Sequence, residues 1–557
     1  MDRTTRSSKA SDRGRDPQMK ASLRDNAPNW ARWSGHVRVA AVVITALVLP
    51  WSNVLVSNAQ FLLVLAWLVE GIASGDLMGR FRWAFTSRWS LVFLAFLALH
   101  LVGLAWTSDL EWGMDLCRIL APVLVFGTIL SSSPPLGRGA LWWVLRAGAW
   151  SVVLSTLVCL LLRGDALASG DHRAVSIFIS HVRLGLLIAL AVPIFLLDRE
   201  VPRWARALQY LAAAWAVTFL VLIGSLSGIS ALVVAFMVLC WWAVRRLRAV
   251  PRWGLRTMVV VAPLTALLVL AGLLWPRASA PLRQEDLEVY APSGEAYYHD
   301  VNDPQKENGQ YVWTYVAGEE LERGWARRSH FDLYGKDERG QPLRGTLVRY
   351  MASMGLRKDS LGLLALTDED VSRIEQGMPS VRTGRQNILL ARIDQLRMEL
   401  DRYRAVGDPN GHSLTMRIEF WRTGWWIARQ HLWTGVGTGD TRPAFAEAYE
   451  ARHSPLKPEW RHRAHNEYLT LLISFGVFGL LLALSSWIAP AVALRAYRQP
   501  LFLVWAAIFL VSCLTEDTVE TQTGATFFAL YYALFVFGAR ALNADVAAPA
   551  ARESAAG

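Results

Sequence analysis

The sequence predicts an all-α polytopic membrane protein, with about twelve transmembrane helices and a large, mainly helical domain outside the membrane between the ninth and the tenth. Three observations carry that prediction. Of the 557 residues, 53% are hydrophobic and 26 are Trp, gathered into blocks rather than spread evenly, as in a chain that meets a bilayer. The short loops between blocks alternate in charge, and the one long polar segment carries apolar residues at helical spacing.

Residues 1–35 are polar and basic, with Arg3, Arg6, Lys9, Arg13, Arg15, Lys20, Arg24 and Arg32. They hold too little apolar surface to fold alone and are expected to form a disordered cytoplasmic tail. The first apolar block lacks a small-residue cleavage site and many blocks follow it, so the tail is expected to be retained. A helix crossing the hydrocarbon needs about 20 mostly apolar residues, because each backbone amide must be satisfied within the segment. Blocks of that kind run over 36–55, 58–75, 89–106, 116–131, 140–162, 178–197, 206–224, 229–244 and 257–275, then over 466–494, 500–514 and 523–540. The chain is thus divided into nine spans within 36–275, an outer domain at 276–465, three spans within 466–540 and a cytoplasmic tail at 541–557.

Orientation follows from the excess of Lys and Arg in cytoplasmic loops. With the N-terminus inside, the inner loops hold Arg80, Arg82 and Arg88; Arg138; Arg199, Arg203 and Arg206; Arg245, Arg246, Arg248, Arg252 and Arg256; Arg495 and Arg498. The alternate loops carry Asp109, Glu111, Asp115, Asp165, Asp171, Glu516, Asp517 and Glu520, against Arg163 and Arg173. This partition puts both termini in the cytoplasm and residues 276–465 on the far side, the periplasm if the membrane is a bacterial inner membrane.

The outer segment reads as helical over 319–329, 367–377 and 385–406, and Thr367 with Asp370 forms a capping box with Asp in place of Glu. The stretch 415–433, "TMRIEFWRTGWWIARQHLW", sets Ile418, Trp421, Trp425 and Ala428 in one stripe with Arg417, Arg422 and Arg429 around it, the makeup of a helix lying on a membrane surface. "GVGTGD" (435–440) then breaks it. Cys117, Cys159, Cys240 and Cys513 lie in or beside apolar blocks, so neither a disulfide framework nor a zinc spacing exists. No G-x-x-x-x-G-K-[ST] loop is present, which argues against nucleotide hydrolysis as the driving reaction. No nucleic-acid partner is expected.

Several polar residues sit where chemistry could be done. His465, in "RHRAHNEYLTLL" (461–472), stands where the outer domain meets the tenth span, beside Arg463, Asn466 and Glu467. Imidazole suits proton transfer near neutral pH, but a polar residue at a membrane interface is also ordinary. Arg183 lies near the outer end of the sixth span beside His181; an Arg in a span is costly and marks function by default, while near an end it can snorkel to water. Gly437 and Gly439 could bare amides to a phosphate, or simply make the turn that ends the Trp-rich helix. Glu516, Asp517 and Glu520 could hold a divalent ion, or be three solvated loop acids.

The segment from Arg417 to Leu482, with "RIEFWRTGWW", "GVGTGD" and "HNEYLTLLISFGVFGLLLAL", together with twelve spans and a large outer loop before the tenth, resembles the O-antigen ligase family, which also holds O-antigen polymerases and some protein O-oligosaccharyltransferases. The loop's "YYHD", "ENGQYVWTYV" and "LVRYMASMGLRKDS" are similar to a large-loop subgroup of Bacteroidetes type. Many members carry an Arg after the Ser of the "SLSG" region, where Gly228 stands here, so one phosphate-binding Arg lacks a counterpart. The resemblance implies a metal-independent glycosyltransferase of the membrane C type of fold, without cofactor, taking a polyprenyl-diphosphate-linked glycan as donor. It further implies His465 as base, Arg183, Arg417 and Arg463 on the donor diphosphate, and His181, Arg422, Asn466, Glu467, Gly437 and Gly439 in support, with no metal ligand.

Three readings follow. An enzyme of this kind would pass its glycan to lipid A core, to another lipid-linked glycan in an O-antigen or exopolysaccharide polymerase, or to a protein hydroxyl. A transporter would need polar residues deep in several spans, and these spans are almost free of central charge. A nonenzymatic assembly factor would use the outer domain only to bind glycan or a partner.

Overall fold

The computed structural model describes residues 29–168, 174–244, 282–303, 305–382 and 388–545, with the single positions 257, 261, 265 and 272. Most of the basic N-terminal tail, the candidate ninth span at 257–275, the arginine-rich loop before it and the end of the C-terminal tail therefore lie outside the described residues.

The chain is overwhelmingly helical. Its first half forms α1 (Asn29–Val48), α2 (Asn53–Ala73), α3 (Leu77–Thr86), α4 (Arg88–Gly103), α5 (Leu110–Ile119), α6 (Ala121–Ser132), α7 (Arg138–Arg163), α8 (His181–Leu197), α9 (Arg203–Leu222) and α10 (Leu226–Val244). Among the described residues seven helices or helix pairs are long and apolar enough to cross a membrane, while the apolar stretches Trp33–Val48 of α1, His181–Leu197 (α8) and Pro500–Thr515 are shorter. This is the pattern of a polytopic membrane protein. Their inner faces share one core, in which Phe93, Phe96, Phe195, Phe219, Trp505 and Phe528 are fully or almost fully buried.

Three expectations are corrected here. The first helix starts at Asn29 and ends at Val48, not over 36–55, because Ser52 caps a new helix with a bond from the Val54 amide. The fourth block begins earlier than 116: α5 and α6 meet at Leu120, where Pro122 opens the second helix. Arg80 is not a solvated loop cation. It sits in the unexpected helix α3, 4% exposed, and shares Glu70 with Arg38 at 2.9 and 2.6 Å, since a buried carboxylate needs matching charge.

The polar segment has a core of its own, with Leu321, Trp325, Leu343, Leu347 and Tyr350 buried. It is built on α11 (Gly318–Trp325), α12 (Leu343–Ser353) and α13 (Asp368–Glu375). The Thr367–Asp370 capping box at the start of α13 is present in both directions. A two-residue hairpin, which helical spacing alone does not announce, pairs Lys306 with Tyr311 and Glu307 with Gln310. Its turn, Asn308-Gly309, has φ values of 50° and 88°, the left-handed pair that such a tight hairpin needs.

The rest of the chain builds the site. In order come α14 (Ile388–Val406), α15 (Ser413–Gln430), α16 (Thr441–Ala451), α17 (Glu467–Ala493), α18 (Pro500–Thr515) and α19 (Gln522–Ala533). Helix α17 is split at Gly476, whose φ of 64° and ψ of −169° are not helical. The segment after α15 enters that split: Val436 and Gly437 amides donate to the Ile473 and Ser474 carbonyls at 2.9 Å each, and the Val477 amide donates to Leu432 at 2.8 Å. Carbonyls orphaned by the break are thereby satisfied. Both glycines at the crossing are required by contact, because a Cβ on Gly435 would stand 2.2 Å from the Ser474 carbonyl carbon and one on Gly476 2.3 Å from Trp433 backbone.

Candidate active site

Four helix ends meet at one place. The N-terminal turn of α8 brings Arg183, α15 brings Arg417 on its side, the residue before the α17 cap is His465, and the link between α18 and α19 brings Glu516, Asp517 and Glu520. Glu516 is 7% exposed and lies between the two guanidinium groups: Arg183 Nη1 is 3.2 Å from one carboxylate oxygen and Arg417 Nη2 is 3.1 Å from the other. His465 Nδ1 stands 3.8 Å from the same carboxylate. Residues 183, 417, 465 and 516, distant in sequence, thus form one cluster.

Each member is held by its local structure. Ser180 caps α8 by accepting from the Arg183 amide, and the Arg183 guanidinium also donates to Thr521 Oγ1 at 3.3 Å and the Asp517 carbonyl at 3.4 Å. Arg417 keeps its Nε buried without a hydrogen-bond partner among the described residues, so its fork still has a donor to give. His465 has a φ of 46°, a strained value for a residue bearing a Cβ. The loop before it is pinned on both sides, by Trp421 Nε1 donating to the Ala464 carbonyl at 3.0 Å and Tyr449 Oη to the His462 carbonyl at 2.6 Å. Asn466 caps α17 by accepting from the Leu469 amide at 3.1 Å, while its own amide donates to Asp517 at 3.1 Å. Asp517 also accepts from Thr470 at 2.9 Å, and the buried Glu467 accepts from the Val519 amide at 3.1 Å. Burial pushes the His465 imidazole below the ordinary histidine range, against the opposing pull of Asp517 and Glu516. The shift favours the neutral imidazole, the form that can take a proton.

The other residues expected at the site are distributed differently. Arg463 pairs with the buried Glu520 and lies over the Trp112 ring, beside the Glu516 cluster rather than in it. His181 opens α8 two residues before Arg183. Arg422 lies apart from the cluster: it bonds Glu419 at 2.8 Å and Tyr403 Oη at 2.6 Å, because five residues along a helix turn it well away from the face of Arg417. Gly437 and Gly439 do not offer a phosphate nest. Their amides donate to the Ser474 carbonyl and Thr107 Oγ1, and Asp440 accepts from the Ser108 and Asp109 amides, tying the turn to α5. The Trp-rich stripe is also amended, since Trp421 and Trp425 are 39% and 53% exposed while Ala428 is fully buried.

Glu516, Asp517 and Glu520 are not solvated loop acids. Glu516 and Asp517 are buried, the Glu520 side chain is only 8% exposed, and all three serve as counter-charges or anchors; among the described residues no group of three His, Cys, Asp or Glu side chains is arranged to hold a metal ion. The signal that could have separated them from ordinary loop acids is the requirement that Arg183 and Arg417, expected from the sequence at the membrane edge, find carboxylates on the same side.

A family model described as O-antigen ligase matches residues 360–484. The match takes in Arg417, the glycine turn, Arg463, His465 and the α17 cap, and leaves Arg183 and Glu516 outside it. It supports, at the level of the family, an O-antigen ligase-like membrane glycosyltransferase. No curated protein gives a significant match to the chain.

Proposed function

We propose that this chain, carrying its O-antigen ligase region at 360–484, transfers a glycan from a polyprenyl-diphosphate carrier to an acceptor hydroxyl at the periplasmic face of a bacterial inner membrane, with lipid A core as the acceptor a ligase would use. The observation behind this reading is the meeting of Arg183, Arg417 and His465 around one carboxylate. Two guanidinium groups facing a buried anion make a site for phosphate oxygens, which the forks bind in pairs. Glu516 holds that charge balance in the unloaded protein, and the donor diphosphate takes up the same N–H groups when it arrives.

In the reaction the acceptor oxygen forms a bond to C1 of the donor sugar as the bond from C1 to the phosphate oxygen breaks. The hydroxyl proton passes to the neutral His465 imidazole, and the negative charge left on the lipid diphosphate is offset by Arg183 and Arg417. Asp517 and Asn466 fix the backbone from which His465 projects. The exposed faces of Trp421, Trp425 and Trp426 suit a headgroup layer, from which a lipid carrier approaches sideways.

The test is transfer by the purified chain in lipid nanodiscs, given lipid-linked glycan and acceptor with neither nucleotide nor metal added. His465→Ala should abolish product while the variant still inserts and remains folded. Full turnover by that variant would remove the role assigned to the imidazole, and no product from the unaltered chain with any acceptor would leave only an assembly role.

A further inference from the structure

Next to the cluster a cleft of about 750 Å³ opens between α16 and the loop 458–465, and His465 and Asp517 form part of its wall. Its size is that of an ordinary small-ligand site. Anything resting in it lies against the imidazole that the proposed reaction uses as base, and the inference below rests on that reading.

The charges of the cleft are unequally satisfied. Arg461 pairs with Glu450 and Arg463 with Glu520. Arg442 is different. Its guanidinium lies 3.3 Å from the centre of the Trp112 ring, which Arg463 also overlies at 5.4 Å. Among the described residues no carboxylate comes within the 4.0 Å of an ion pair with Arg442. Two guanidinium groups thus share one indole, and Glu520 pairs directly with only one of them, Arg463, while Asp109 and Asp115 act on Arg442 from beyond ion-pair distance. Arg442 is an exposed residue whose partial desolvation and neighbouring Arg463 disfavour its charge, against the opposing pull of Glu520, Asp109 and Asp115. Stacking fixes the guanidinium plane and leaves its edge N–H groups to an incoming partner. Glu447, exposed on the same helix face, is suited to accept from sugar hydroxyls.

We propose that this cleft is the acceptor subsite and that it selects an acceptor sugar bearing an anionic group, phosphate or carboxylate, read by Arg442 held on Trp112. Binding gives Arg442 a directly paired anion and leaves an adjoining hydroxyl of the same saccharide beside His465.

The experiment uses the full chain in nanodiscs, one lipid-linked donor and three matched oligosaccharide acceptors: neutral, phosphorylated and uronate-bearing. The unaltered chain should show a lower KM for a charged acceptor than for the neutral one, and the phosphate and uronate arms identify which anion fits. Arg442→Gln should raise KM for the charged acceptor about tenfold or more, the loss of a charge-assisted bond, with KM for the neutral acceptor and for donor unchanged; Arg442→Lys should fall between. Equal KM values for all three acceptors in the unaltered chain, or a uniform rise in Arg442→Gln, would overturn the proposal. Calorimetric binding of the same oligosaccharides without donor separates the two readings. Charge-selective binding lost in Arg442→Gln supports the cleft even if no transfer occurs, and charge-blind binding overturns it even if transfer proceeds.

Discussion

Glu516→Gln removes the charge at the centre of the cluster and keeps its shape. In the unloaded protein the buried carboxylate balances Arg183 and Arg417, whose side chains are 12% and 29% exposed. Losing it leaves two cations facing one neutral amide, and breaking a buried pair costs about 3 to 5 kcal/mol, less here because Arg417 is partly wet. An incoming diphosphate, however, no longer meets a resident anion. A unit of repulsion at about 5 Å with an effective dielectric constant of about 20 amounts to about 3 kcal/mol, so pyrophosphate or a short-chain polyprenyl diphosphate should bind the variant on the order of 100-fold more tightly. The assay is calorimetric titration in detergent, with thermal unfolding followed at each ligand concentration. The variant should start less stable and gain more on titration. If it binds diphosphate no better than the unaltered chain, Glu516 is not a stand-in for the donor's charge and the clamp lies elsewhere.

Other outcomes follow from the same geometry. Arg417→Lys keeps the charge and loses the fork, including the unpartnered Nε, so transfer efficiency should drop about 100-fold with donor KM rising; an undiminished rate would mean that point charge suffices. Because burial lowers the His465 pKa, kcat/KM should lose activity only as pH falls below the ordinary histidine value of about 6.5. In kcat the same acid limb should sit higher, since a bound diphosphate favours the imidazolium; limbs in the reverse order would contradict a diphosphate beside His465. Gly476→Ala should destabilise the protein by more than about 3 kcal/mol through contact with Trp433 backbone, seen as loss of the monodisperse species on size-exclusion chromatography.

Much of the architecture can be read directly from residue order. Apolar blocks of bilayer length, the Thr367 cap and the helices at 318–325, 368–375 and 388–406 are local properties, set by periodicity and capping within a few residues. Arg183, Arg417 and His465 stand out because each is polar at an apolar boundary. What pairs with them does not stand out. Glu516 looks like any acid in a polar loop until the fold closes 333 residues of separation from Arg183, and Arg38 with Arg80 gives no sign of sharing Glu70. Arg422 and Arg417 look alike in sequence, and only the turn of the helix separates their partners. Trp112 carries no signal in the sequence, and its place under two guanidinium groups comes from α5 packing beside the link that carries Glu520.

The seam between the 432–437 backbone and the divided tenth helix bears on how the molecule works as a machine. The arm bearing Arg417 is stitched through that seam to the membrane body, so it cannot swing outward like a door without tearing a helix apart. If the proposed lipid carrier is the donor, its traffic then depends on creeping through the surrounding fat, and turnover should track acyl-chain order and bilayer thickness far more than the thickness of the watery medium outside.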